Sequence, residues 1–214
     1  MSKVVVRSFA CSLDGFGAGL QQSQSEPFGK NAIQIMNWFF PTNTFKAMVG
    51  GGEGSKGLDD SYAAKGFEGI GASIMGRNMF GPIRGPWPNE EWRGWWGDNP
   101  PFKHPVFVLT HHPRPTLEFK NGTSFHFVNG SPEQVLKQAQ TAAGGKDVKV
   151  SGGVATVRSF WKARLLDELH LVLSPVFVGE GERLLGGLGI EADYQVIGFE
   201  ASEAAVHYRI AKKS

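Results

Sequence analysis

The residues best suited to chemistry lie where apolar, β-branched runs give way to glycine. Val148-Lys149-Val150 leads into Ser151-Gly152-Gly153, and a helical pattern begins at once with Val154, Ala155 and Thr156. A strand that delivers the chain into a helix start leaves several backbone N–H groups without intrahelical partners. They sit at the positive end of the helix dipole, which suits a phosphate. The plain alternative is a strand–helix turn that uses glycine for a positive φ. A second such point is Ser73-Ile74-Met75-Gly76, followed by Arg77-Asn78-Met79-Phe80. An arginine at that place can hold a phosphate through two parallel hydrogen bonds. Equally, it can be a surface arginine that braces its own turn. A third run, Val106 to Leu109, delivers Thr110, His111, His112 and Arg114 to one edge.

Other chemistries fail on spacing. The adjacent rings of His111 and His112 point apart, and no Cys/His/carboxylate set has metal-ligand spacing, so no metal is expected. Neither Gly50–Lys56 nor Gly144–Asp147 satisfies the phosphate-loop pattern of nucleotide triphosphatases, and no G-x-S-x-G elbow is present. Gly187-x-Gly189-x-x-Ala192 follows no clear strand and has Glu191 and Asp193 where phosphate would come. Asp14 is the candidate carboxylate for contacting substrate or handling a proton. Its alternative role is to shape the Asp14-Gly15 turn. Trp38, Phe39 and Trp87 are candidates for the apolar walls of a substrate site.

These residues need elements to position them. Val4–Cys11 reads as a buried strand, 17–27 as a mobile Gly/Gln/Ser loop, and Pro27–Phe40 as a helix ended by Pro41. Gly50–Ser55 reads as a flexible link, with a helix capped at Asp59 or Asp60 running to about Phe67. Strands are expected at 72–76, 106–109, 125–128, 147–150 and 168–178. Helices are expected at 131–143, with Ser131 as cap and Pro132 in the first turn, and at 154–165. A closing hairpin is expected at 194–200 and 204–211. Residues 81–104 hold five prolines and four tryptophans and read as a long excursion without regular structure. Strands interleaved with helices predict an α/β domain spanning 1–214, with a mostly parallel eight-stranded sheet and an antiparallel C-terminal hairpin.

Composition narrows the class. Twenty per cent charged and 41% hydrophobic residues describe an ordinary globular chain, and a net charge of +2 suggests neither a nucleic-acid nor a membrane partner. The single cysteine, Cys11, allows no internal disulfide, and the apolar run after Met1 is broken at Arg7, so a reducing, cytoplasmic setting is expected.

Taken in order, the motifs resemble those of the dihydrofolate-reductase-like proteins, in particular the reductase domain of the riboflavin-biosynthesis deaminase/reductase. They are Ala10-x-Ser12-x-Asp14-Gly15, Met75-Gly76-Arg77-Asn78-Met79-Phe80, Val108-Leu109-Thr110, and Ser151-Gly152-Gly153 leading through Leu166–Leu171 to Pro175–Gly181. The resemblance implies NADPH bound across the carboxyl edge of the sheet. Ser151–Thr156 would then hold the pyrophosphate. Gly76–Met79 with Thr110, His111 and Arg114 would hold the adenosine side, and the backbone at Ala10 would meet the nicotinamide. It further implies a homodimer, an expectation that six tryptophans in so short a chain support. Where dihydrofolate reductase carries a carboxylate on its first helix, this chain offers Gln34, Ile35 and Asn37; Glu26 or Asp60 are the alternative acids. The expected activity is hydride transfer to a C=N or C=O carbon of a small heterocycle of riboflavin-pathway or pterin type. The alternative is an NADPH- or ligand-binding protein without catalysis.

Overall fold

The computed structural model describes residues 2–213. In chain order the strands are β1 (Val4–Ser12), β2 (Phe16–Gly19), β3 (Ile70–Gly76), β4 (Pro105–Leu109), β5 (Leu117–Glu118), β6 (Ser124–Val128), β7 (Asp147–Gly152), β8 (Glu168–Ser174), β9 (Gly181–Arg183), β10 (Tyr194–Ala201) and β11 (Val206–Lys212). The helices are α1 (Asn43–Met48), α2 (Leu58–Lys65), α3 (Arg77–Phe80), α4 (Pro132–Ala143) and α5 (Val154–Lys162). One sheet has nine strands in the order β10-β11-β8-β1-β7-β3-β4-β6-β5, and β2 and β9 form a small second sheet. The ninth strand of the large sheet is β5, a two-residue edge. From β8 to β6 the neighbours are parallel; β11, β10 and β5 pair antiparallel.

The parallel strands are apolar on both faces because both are covered. On one face lie α4 and α5, and their Val135, Leu136, Ala139, Val157 and Phe160 join Val4, Ile74, Val148 and Val150 in the main core. Helix α4 begins as its sequence predicts. Ser131 and Gln134 form a capping box with Pro132 in the first turn, and Gly144 closes the helix at φ 58°. The other face is covered at one end by α2 and the 33–36 segment. At its other end the 81–104 excursion covers it.

That excursion contains no helix or strand, as expected, but it is packed. Trp87, Trp92 and Trp96 lie half-buried against Phe80, Phe125 and Phe127. The tryptophans that suggested a second copy are therefore largely occupied within the chain's own aromatic cluster.

Several expectations require correction. The helix expected over Pro27–Phe40 is a run of turns with a single 3-10 turn at Ile33–Met36; Gly29 and Asn31, at φ 79° and 59°, are incompatible with a continuous helix. The loop expected at 17–27 begins as β2, which pairs with β9. A Cβ on Gly19 would lie 2.1 Å from the Lys30 carbonyl, and one on Gly181 would lie 2.1 Å from that of Ala18. Glycine serves close backbone approach there, not mobility. Residues 43–48, unassigned in the sequence, form α1, capped by Thr42, whose Oγ1 accepts from Phe45 N at 3.1 Å. Helix α2 is entered from Gly57, so neither Asp59 nor Asp60 is its cap. Asp60 instead accepts from the N–H and the hydroxyl of Thr44, both at 2.7 Å, and ties α1 to α2. The strand from Glu168 also ends earlier than expected, at Ser174.

Candidate functional site

The site is set by where β1 leaves its neighbour. Strand β1 pairs with β7 only at Val4–Val148 and Val5–Lys149, whereas its pairing with β8 continues to Ser12. The register of β1 on β8 shifts between Val6 and Phe9. Within that bulge Ser8 sits at φ 58° and its N–H donates to His170 Nδ1 at 3.1 Å. The carboxyl half of β1, with Ala10, is thereby separated from the carboxyl end of β7, with Ser151 and Gly152.

The far wall of this opening is glycine. Strand β7 ends in Gly152, at φ 139°, joined to Gly153 by a cis peptide bond, and α5 follows. No side chain caps α5. Its first N–H groups therefore have neither a side-chain nor an intrahelical partner. A Cβ on Gly153 would meet nothing within 4 Å, so the space before the helix start is open. At Gly76 the opposite holds, because a Cβ there would lie 2.3 Å from Thr156 Oγ1. Glycine at the end of β3 is what lets α5 abut it. The buried Oγ of Ser151 has no hydrogen-bond partner among the described residues. Thus Gly76, Ser151, Gly152, Gly153, Val154, Ala155 and Thr156 lie together at this edge.

The adenosine-side candidates lie along the same edge. Arg77 and Arg114 stack on Trp87, with guanidinium carbons 3.7 and 4.6 Å from its ring. Each is also hydrogen-bonded to the excursion, Arg77 Nη1 to the Gly85 carbonyl and Arg114 Nη2 to that of Trp92 at 2.7 Å. Yet Nε and Nη2 of Arg77, and Nε and Nη1 of Arg114, are buried without a partner among the described residues. Burial, then repulsion from Arg84 and Arg114, draws the Arg77 guanidinium below its ordinary pKa. Thr110 is turned inward and its Oγ1 accepts from the His112 N–H at 3.1 Å, while His111 is exposed. Asn78 donates to Glu182 at 3.3 Å, and Met79 backs Gly152.

Two expectations fare differently. The Asp14 carboxylate accepts from the Ser12 hydroxyl at 2.5 Å, from Val178 N at 3.1 Å and from Gly179 N at 2.7 Å. Burial pushes its pKa up, but these hydrogen bonds outweigh burial and hold the carboxyl below the usual range. Asp14 is an ionised latch between the loops after β1 and β8, and the geometry supplies no proton there for a substrate. The three aromatic wall candidates are not brought together either. Trp38 is fully buried beside Ala10, Val172 and Ala205, with Phe39 next to it at 5.4 Å between ring centroids. Trp87 belongs to the Phe80–Phe127 cluster, on the arginine side.

Sequence reasoning missed Phe9. Its ring would lie 3.0 Å from a Cβ on Gly17 and 3.1 Å from one on Gly152, so it underlies the opening. Only the bulge puts it there, and nothing in the sequence around Ser8 announces a bulge.

The fold is that of the dihydrofolate-reductase-like proteins. The enzyme from Enterococcus faecalis, solved with NADP(H) and the compound RAB-propyl, superposes with a TM-score of 0.55 at 12% identity, over 98% of this chain and 95% of that one. More specifically, the model of the RibD C-terminal domain matches residues 3–208, and the chain belongs to that family. A crystal structure from Shewanella sp. PV-4, described as a riboflavin biosynthesis protein, matches over the full length of both chains with a TM-score of 0.62 and 21% identity. The Thermotoga maritima diaminohydroxyphosphoribosylaminopyrimidine deaminase/5-amino-6-(5-phosphoribosylamino)uracil reductase matches with a TM-score of 0.56 and 14% identity; this chain is 99% covered and spans 57% of that longer one. No curated protein matches. Among the described residues no helix is long and apolar enough to cross a membrane, and no group of three or more His, Cys, Asp or Glu side chains could hold a metal ion.

Proposed function

We propose that the protein is an NADPH-dependent reductase that passes hydride to a C=N or C=O carbon of a small planar heterocycle. The observation that carries the reading is the opening between β1 and β7, walled by Gly152–Gly153 and floored by the uncapped start of α5. When bound, NADPH supplies the hydride. The protein's own residues do the rest. The N–H groups of Val154, Ala155 and Thr156 and the Ser151 hydroxyl would hold the pyrophosphate. The unpartnered donors of Arg77 and Arg114 would face the adenosine phosphate, with Thr110 and His111 at the same edge. The backbone at Ala10 would align the nicotinamide with a substrate on the α2 side, where Trp38 backs the site and Phe39 flanks it. Positioning the two reactants is the protein's main contribution. The proton that completes the reduction is not assigned to Asp14, whose oxygens are occupied. A cytoplasmic homodimer is part of the same proposal.

The test is Gly153→Val. The backbone there has φ −72° and the Cβ points into open space, so the fold should hold while the pyrophosphate is excluded. NADPH titration by fluorescence should show at least a tenfold loss of affinity, which is about 1.4 kcal/mol. Wild-type affinity in a folded variant would overturn the placement. Tight NADPH binding by the wild type, with no turnover of pterins or aminopyrimidine carbonyls, would favour a cofactor-binding protein without catalysis.

A further inference from the structure

Strand β1 exchanges its two faces partway along. Val4 and Val6 enter the core on the α5 side, and farther on Phe9 and Cys11 do the same, while Ala10 joins Trp38, Ala63 and Val172 on the α2 side. An uninterrupted strand would keep Val4, Val6, Ser8 and Ala10 on one face and send Phe9 and Cys11 to the other. Strand β8 alternates without a break, Leu169 and Leu171 toward α5 and Val172 toward α2, so the exchange belongs to β1 alone. Its origin is one added residue. Arg7 and Ser8 stand between Val6 and Phe9, where β8 has only His170 between Leu169 and Leu171.

Such a bulge has to be held. Ser8, at φ 58°, lies in a region that a Cβ disfavours, and its amide falls at the break in the register. That amide donates to a side chain, His170 Nδ1, at 3.1 Å, and His170 is buried. The ring accepts there as the tautomer protonated at Nε2, and Nε2 meets His207 Nδ1 at 3.0 Å. We propose that His170 is a positioning residue: by holding the Ser8 amide it fixes the bulge, and so selects which side of β1 borders the opening. With the bulge, the small side chain of Ala10 stands beside Trp38 and the Phe9 ring lies behind Gly152. Without it, the register sets Phe9 beside Val172, in the place of Ala10, and turns Cys11 out of the core. A phenyl ring there obstructs a nicotinamide laid along the Ala10 backbone. That consequence for the cofactor rests on the reductase reading; the choice of face does not.

The experiment compares His170→Asn with His170→Gln. The Asn carbonyl oxygen falls close to the position of Nδ1 and keeps an acceptor for Ser8. The Gln amide reaches toward His207 and offers no acceptor at Nδ1. Both remove the ring, so a purely structural role predicts equal effects. Hydrogen exchange followed by NMR should show the Ser8–Ser12 amides exchanging about tenfold faster in His170→Gln than in His170→Asn, the worth of one hydrogen bond. Contacts of the Phe9 ring should pass from Leu171 to Trp38 in the Gln variant alone. Adding Ser8→Gly to His170→Gln should return the exchange toward that of His170→Asn, because glycine takes a positive φ freely. Equal exchange in the two His170 variants, or no recovery with Ser8→Gly, would overturn the proposal. NADPH affinity should be weaker in the Gln variant than in the Asn variant. Different exchange with equal NADPH affinities would uphold the selection of the face and strike the placement of the nicotinamide instead. Should His170→Gln fail to fold, Ser8→Val tests the same point with the histidine in place, because a β-branched residue resists positive φ. A Ser8→Val variant whose β1 exchange and Phe9 contacts match the wild type would likewise overturn the proposal.

Discussion

Two polar clusters lie on the same face of the sheet, and their hydrogen bonding is opposite in kind. On the α2 side Ser8 N–H donates to His170 Nδ1, His170 Nε2 lies 3.0 Å from His207 Nδ1, and His207 Nε2 lies 2.7 Å from Asp59 Oδ1. Because the Ser8 amide can only donate and the Asp59 carboxylate can only accept, one neutral tautomer of each ring satisfies the whole chain. His170 Nε2–H donates to His207, and His207 Nε2–H donates to Asp59. Tyr62 covers both rings, with centroids 4.4 Å away, and its hydroxyl donates to Glu200. On the excursion side, Arg77 and Arg114 hold four buried nitrogens without partners among the described residues. A buried polar network persists when all its members are satisfied, and buried donors left over cost about 1–3 kcal/mol each. The first cluster is complete as it stands, and it docks a helix of low apolar content. The second leaves those donors unpaired.

The largest effect should come from breaking the complete cluster. His207→Ala orphans the Asp59 carboxylate and the His170 Nε2–H, and empties space beneath Tyr62 and Trp38. Urea unfolding should show a loss of about 2–4 kcal/mol. A stability within 0.5 kcal/mol of wild type, which is about the range of an ordinary surface change, would show that the network adds nothing.

Acid should act on the same cluster. Burial is the largest cause and pushes His170 down to about 3 from the ordinary 6.5. The unfolded chain therefore binds more protons than the folded one between those values. The stabilisation from this group is complete above about pH 6.5 and falls as the pH drops through the window. The loss is about 1.4 kcal/mol per pH unit for one group, or about 2 kcal/mol by pH 5. His104, pushed by burial to about 4, adds to the same slope. Unfolding curves at pH 7 and pH 5 with equal midpoints would contradict the buried neutral rings.

The last prediction sharpens the other half of the comparison. NADPH should bind at least tenfold more tightly than NADH, and Arg77→Ala should shrink that ratio chiefly by weakening NADPH, by about 1.5–3 kcal/mol for a charge-assisted bond. Arg77 also holds the Gly85 carbonyl and stacks on Trp87, so the variant should lose some stability as well. A lower midpoint with an unchanged cofactor ratio would assign Arg77 wholly to bracing the excursion.

What the sequence determined by itself was local. Alternating and β-branched runs placed most of the parallel strands. Ser131, Pro132 and Gly144 bounded α4. The Ser151-Gly152-Gly153 turn before a helical pattern marked the edge where β7 gives way to α5. These are legible because backbone propensity, capping and glycine act within a few residues. What only the tertiary structure decided depends on partners far along the chain. The β2–β9 pair joins residues 16–19 to 181–183, so its glycines read as a mobile loop until the other strand is present. Ser8 bulges because its amide meets His170, 162 positions away, and that bulge opens the site between β1 and β7. Asp14 is held by amides at Val178 and Gly179, which turns a candidate acid into a latch. Trp38 and Trp87 are the same residue type on the same face of the sheet but join different clusters, because the segments that carry them cover opposite ends of that face. Hydrogen-bond satisfaction in the interior is a property of the assembled neighbours, and no window of sequence contains them all.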